Sequence, residues 1–412
     1  MIKLKKLKHF GNNNNKNKTT IILLVIFISL FSILSPLETF CADDKIYKLS
    51  DDLNGAVIEE LKEIDFSGLN EIVDEFNENK TNIFSIDNIK SKVYSIISGE
   101  NAVGYSNLFA ALFSNLIELI IKYLPMLSVI IGIGVLSNLL NGVKSKFNEK
   151  STSSLIDLVC FLSTAILIVG VVANLTKSTS NAIAGMVKQM NVLFPILMTL
   201  MIGLGATASA GAFKPIVAIM STYVADFFNF FITPLFMLSF VFGIITNMSD
   251  NVKLEKLSAF VFSLFKWSIG LVFTLFFAIF SLQGIAVGSF DSLSIRTTKY
   301  TIKSYVPVMG GYLSDGMDLI LSSTMLIKNS VGLVGVLLII TTILSPLLEI
   351  IIFSLMLKLI SAVLQPLGNS KTSNFLSATS KSITMLSTSV IAIGFMYLVI
   401  VGLVMTTSNL VV

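Results

Sequence analysis

Four charged residues, Asp226, Lys266, Glu349 and Lys358, sit inside long apolar runs, and they are the first places to look for chemistry. A charge in bilayer hydrocarbon costs roughly 2.5–3.5 kcal/mol on insertion scales, so such groups serve an ion pair, a snorkelling contact or a solute or proton path. Glu118 and Lys122 add a pair of opposite sign at i, i+4, the spacing at which side chains on one helix face meet. Two segments combine proline with small residues. Pro195 leads to Gly203, Gly205 and the run 206–212, and Pro307 is followed by Gly310, Gly311 and Asp315. Proline removes an N–H and frees a carbonyl, which hydrocarbon cannot satisfy, so these segments belong where protein or a water-filled cavity supplies partners. Close helix packing on small residues is the other use of this composition.

Other chemistries lack their residues. The single histidine, His9, lies in a Lys-rich leader, which leaves Ser-His-Asp triads, Cys-His pairs and His-ligated metals without a base or ligand. Cys41 falls at a presumed processing point and Cys160 in an apolar run, so no disulfide is expected. Asp51-Asp52 and Glu59-Glu60 could be metal ligands, but solvated helix faces account for them as well. There is no glycine-rich phosphate loop, no nucleotide fingerprint and no basic-aromatic interleaving, so no cofactor and no nucleic acid partner is expected. No catalytic residue is assigned, and the chain reads as a non-enzyme.

The elements that must position these residues are membrane helices. Of 412 residues 54% are apolar and 13% charged, with a mean hydropathy of +0.83, against roughly 25% charged in an ordinary soluble domain. The charges are also segregated, with 12 Lys and 15 acidic residues in 1–103. An all-α polytopic membrane protein with a small helical extracytoplasmic domain follows. Residues 1–41 read as a cleaved signal peptide, with a Lys-rich start and the apolar run 21–34, too short for a span. Residues 42–106 form the acidic domain, with helices expected over 49–64, 69–76 and 86–97 and Gly99 as a stop.

The membrane domain, 107–405, contains the apolar stretches 107–140, 155–175, 189–206, 216–246, 257–287, 331–364 and 383–405, followed by a tail at 406–412. Three exceed one tilted crossing and contain Pro125, Pro234 or Pro346, so six to eight spans are expected. With the acidic domain outside, the loop with Lys144, Lys146 and Lys150 falls inside, as the positive-inside tendency asks. Counting single crossings then puts Lys177 and Lys188 outside, Lys214 inside, the 250–256 loop outside and Arg296, Lys299 and Lys303 inside.

Three motifs in order carry a family resemblance. They are Ile295-Arg296-Thr297-Thr298-Lys299-Tyr300, Tyr305-Val306-Pro307-Val308-Met309-Gly310-Gly311 with Ser314-Asp315, and Ile327-Lys328-Asn329-Ser330-Val331-Gly332-Leu333-Val334-Gly335. Together with the Pro195 segment and the order of domains, this resembles the stage III sporulation protein AE family. The resemblance implies a component of an apparatus joining mother cell and forespore, placed in the mother-cell membrane that engulfs the forespore. Its implied partners are an ATPase, ring-forming and small membrane subunits of the same complex and a forespore membrane protein, besides the lipid bilayer. It implies a channel or feeding-tube role and no catalytic residues. Arg296 is the only arginine among 29 basic residues. Its planar five-donor group suits a carboxylate or a lipid phosphate. Arg296, Lys299 and Asp315 are expected to hold the region around Pro307. A solute permease or ion-coupled transporter, using the segments near Pro195 and Pro307 with Asp226 or Glu349, is the alternative.

Overall fold

The fold is given by a computed structural model that describes residues 51–78, 86–99, 105–144, 150–248, 252, 254–286, 297, 300, 310–367 and 369–407. They fall in one compact unit, Ser50–Val412. Residues 1–41, expected to be a signal peptide, and Arg296, Lys299 and Pro307 lie outside the described residues. Every regular element among the described residues is helical.

Among the described residues three short helices come first: α1 (Asp51–Glu63), α2 (Ser67–Glu78) and α3 (Ile89–Ile97). The amide of Ser67 donates to Asp65 Oδ1 at 2.9 Å, which holds that carboxyl below the usual carboxylate range. The contact therefore helps at neutral pH and fades as pH falls through the lowered value. Asn88 caps α3, accepting from the amides of Lys90 and Ser91. Gly99, at φ +72°, follows its end. Asn70 Oδ1 accepts from the Ile89 amide and Tyr94 donates to Asn54, which ties the three helices together. Their apolar faces, with Val57, Leu61, Leu69, Ile72 and Val93, are buried.

The long helices are α4 (Tyr105–Lys144), α5 (Lys150–Gly203), α6 (Thr207–Phe227), α7 (Thr233–Met248), α8 (Glu255–Ala286), α9 (Gly310–Leu364) and α10 (Ser370–Thr407). A π-helical turn, Phe228–Ile232, joins α6 to α7. It falls just before Pro234, whose ring and missing N–H oppose a normal α-helical turn, and the wider turn absorbs that conflict. Among the described residues, six helices are long and apolar enough to cross a membrane, with α6 and α7 running together as one.

The seven apolar stretches thus become six. Stretches 155–175 and 189–206 are parts of α5, and Pro195 sits inside that helix without ending it. The polar residues between them do not form a loop, because Thr176 and Thr179 return their hydroxyls to the carbonyls of Val172 and Leu175. Prolines at 125 and 346 are likewise carried inside single helices, as membrane helices permit where neighbours satisfy the freed carbonyl. The real break comes later. At Leu204-Gly205 the chain turns between α5 and α6, with Gly205 at φ +79°.

Helix α9 runs through the centre, antiparallel to α10. Ser361 and Ser373 exchange hydroxyl-to-carbonyl hydrogen bonds at 2.8 Å each, and Ser354 and Ser380 do the same at 3.3 and 3.0 Å. One end of the bundle is fixed by Phe375 of α10, whose ring centroid lies 5.2 Å from that of Phe161 of α5 and 6.3 Å from that of Phe240 of α7. Ser137 of α4 donates to Asp157 of α5 near that end. The helix ends at Lys144, Lys150, Met248, Glu255, Leu364 and Ser370 therefore gather there. Single-crossing counting placed the 250–256 loop on the opposite side from Lys144 and Lys150. Merging two stretches into α5 removes one crossing and brings the two together.

Gly205 yields a test. Gly205→Val should lose about 1–2 kcal/mol, the cost of a left-handed conformation with a side chain, read as a lower melting temperature of the detergent-solubilised protein, whereas Gly211→Ala, with no neighbour within 4 Å of the added carbon, should melt like wild type.

Candidate functional site

The acidic helices dock on α5 and α9 far from the Phe375 end. The carboxylate of Glu60 accepts from Ser323 at 2.9 Å and from Thr324 at 2.6 Å, two buried hydroxyls of α9. Lys188 of α5 reaches Glu71 at 3.0 Å and Glu75 at 2.6 Å. Gly68 lies where an added carbon would stand 2.8 Å from Val192, so the absence of a side chain lets α2 approach α5. Lys188, which fits positive-inside counting poorly, is thus a counter-ion to the acidic helices. Among the described residues no group of three His, Cys, Asp or Glu is placed to hold a metal ion.

Lys328 of α9 is fully buried, and its ammonium donates to the Met405 carbonyl of α10 at 2.7 Å. A carbonyl near the end of α10 has no continuing helix to bond and carries the negative end of the helix dipole, so a cation suits it. Gly332, one turn on, takes Met405 against its α-carbon. On α5, Gln189 donates to Thr342 of α9. These contacts bind α5, α9 and α10 at the level of the docked helices.

A second polar cluster lies on α4. Lys122 and Tyr123 both reach Glu349 Oε1, at 2.6 and 2.7 Å. The Tyr123 ring packs 5.0 Å from that of Phe353, so the hydroxyl is aimed from a fixed base. Lys122 remains half exposed while Glu349 is mostly covered. Thus Lys122 pairs across helices with Glu349, although the i, i+4 spacing offered it Glu118.

The remaining sequence candidates are dispersed. Asp226, Lys266 and Lys358 are exposed, and Lys266 lies 4.6 Å over the Phe262 ring. Pro195 is exposed on α5, Gly203 ends that helix against Thr324, and Gly310, Gly311 and Asp315 fall in the first turns of α9. The structure therefore brings together Glu349 with Lys122 and places Lys328 in the α9–α10 seam, but does not gather Pro195, Asp226 and Lys266. Sequence reasoning passed over Ser354, Ser361, Ser373 and Ser380, although each pair is seven residues apart on its helix, a spacing legible in advance. For Glu60 with Ser323 and Thr324 no local signal exists.

The stage III sporulation protein AE family model matches residues 88–408. The chain belongs to that family. A stage III sporulation protein AE of Bacillus subtilis (strain 168) is 23% identical over 321 residues, covering 78% of this chain and 80% of that protein. No solved structure matches. The chain is a sporulation-associated multi-pass membrane protein, and the family match runs from the start of α3 through α10, so α1 and α2 precede it.

Two predictions follow from these contacts. Lys188→Glu should loosen the acidic helices, seen as faster proteolytic cleavage between α3 and α4, and Glu71→Lys with Glu75→Lys should restore protection; the gain from such exposed pairs is about 0.5–1 kcal/mol. Lys122→Met should cost about 1–2 kcal/mol in a melting assay by stranding Glu349, less than for a fully buried pair, and adding Glu349→Met should recover most of it.

Proposed function

We propose that this protein is a non-enzymatic membrane platform or conduit of the apparatus joining mother cell and forespore, with its acidic helices in the intermembrane space. Family membership is the observation that carries this reading. The structure supports it through the shape of α5 and α9. At 54 and 55 residues, they extend about 80 Å at 1.5 Å per residue, while the hydrocarbon core is about 30 Å thick. The exposed charges of α2 and Lys188 keep their level out of hydrocarbon. The bundle therefore projects well beyond the bilayer on the side of the acidic helices. A tall rigid projection suits a part that must meet other subunits away from the membrane.

The end with Lys144 and Lys150 faces the cytoplasm in this reading, and Lys253, Lys256 and Lys371 lie in or beside its connections. Partners are then the ATPase on that side, and ring-forming proteins and the forespore membrane protein on the other. The permease alternative needs Pro195 and Asp226 to line a shared polar path. Their exposure, and the engagement of Glu349 by Lys122 and Tyr123, favour the platform.

Deletion in a spore-forming host, with a fluorescent fusion to report position, tests the proposal. Arrest after engulfment with signal collected at the engulfing membrane is expected; normal spores with uniform membrane signal would overturn it in favour of the permease. In the same assay, Arg296→Lys should reduce sporulation if bidentate binding by Arg296 positions the Pro307 region, and wild-type sporulation would remove that role.

A further inference from the structure

Near the Phe375 end, a half-open cleft of about 420 Å³ opens between α7, α8 and α10. Its lining mixes Lys381, Glu255, Asn247 and Asn374 with Ser258 and the Phe262 ring. Glu255 opens α8, Asn374 lies in the second turn of α10 and Asn247 closes α7, so the cleft starts at the ends of these three helices. Lys381 lies over Phe262 at 5.3 Å from the ring centroid, and Lys266 shares the same ring at 4.6 Å. Among the described residues, neither Lys381 nor Glu255 is in an ion pair with the other or with a third group.

Two opposite charges lining one cleft without meeting leave space for a ligand that carries both. The Lys381 and Lys266 ammoniums, set around one aromatic ring, suit a phosphate, which can be reached by more than one donor. Glu255 suits an ammonium that can donate hydrogen bonds, and the amide of Asn374 adds a neutral donor and acceptor. The position at a helix-end surface, inside a membrane protein, supplies the source. Farther along the Phe262 side of α8, Phe273 packs against Phe277 and against Phe395 of α10, and the Phe277 ring is exposed, an apolar surface suited to acyl chains.

We propose that this cleft holds the headgroup of an amine-bearing phospholipid, its phosphate on Lys381 with Lys266 beside it and its ammonium on Glu255. Binding there would tie α7, α8 and α10 to the membrane surface at the end opposite the acidic helices. This site is independent of the sporulation role.

The test is native mass spectrometry of the full-length protein in mild detergent, with phosphatidylethanolamine, phosphatidylcholine, phosphatidylglycerol or soluble glycerophosphoethanolamine added. Phosphatidylethanolamine should be retained over phosphatidylcholine, whose methylated amine carries the same charge but cannot donate to Glu255, by about tenfold, the factor that one hydrogen bond to a charged group contributes. Lys381→Gln should lower retention of both lipids, and Glu255→Gln should erase the preference between them, with Lys358→Gln as an exposed-lysine control. Equal retention of the two lipids overturns the proposal, as does preference for phosphatidylglycerol. Binding of the soluble headgroup as tight as that of the lipid overturns the membrane source. If Glu255→Gln does not fold, the wild-type comparison of the two lipids still decides.

Discussion

The rest of the molecule depends on the antiparallel contact of α9 with α10. A helix pair in lipid gains little from the hydrophobic effect, since lipid tails are as apolar as leucine, and must be held by close packing and hydrogen bonds. Here both are present. Reciprocal serine bonds hold the two helices together at Ser361–Ser373 and Ser354–Ser380, and small residues permit closeness elsewhere, with Gly394 under Ile343 and Gly332 under Met405. Because α9 is fixed on this side, its other faces are free to receive α4, α5, α1 and α3.

The polar contacts divide into two sets with different physics. Those of Ser354, Ser361, Ser373, Ser380 and Lys328 are buried, where an unmade hydrogen bond costs most, and they fix register. Those of Lys188 with Glu71 and Glu75 are exposed, screened by salt and individually weak. The acidic helices are therefore held more by apolar burial of Val57, Leu61, Leu69 and Ile72, and by the Glu60 clamp, than by their visible ion pairs.

Length connects this architecture to a sporulation function. Helices that merely crossed would stop near 20 residues; α5 and α9 continue to the level of α1 and α2. In the platform role proposed above, the extension turns membrane-anchored helices into a mount outside the hydrocarbon. The charges inside apolar runs accordingly find ordinary employment, Glu349 with Lys122 and Tyr123, and Lys266 over Phe262.

The sequence by itself determined the class of the molecule, because hydropathy and charge segregation act locally and need no partner to be read. The all-α fold, the three short helices and the Gly99 stop were legible in this way, and the family was legible from the resemblance of three short motifs in order. The six long apolar helices among the described residues fall within the six to eight spans expected, but the division of α5 at 176–188 was misplaced, since threonines that bond their own helix look like a loop in sequence. Prolines misled for the same reason: Pro195 marks a freed carbonyl, but whether the helix breaks depends on neighbours. Only the tertiary structure decided that Lys122 takes Glu349 from 227 residues away instead of Glu118 one turn off, or that Glu60 finds Ser323 and Thr324. Such pairs are set by which helix faces meet in space, and that is fixed by packing of the whole bundle.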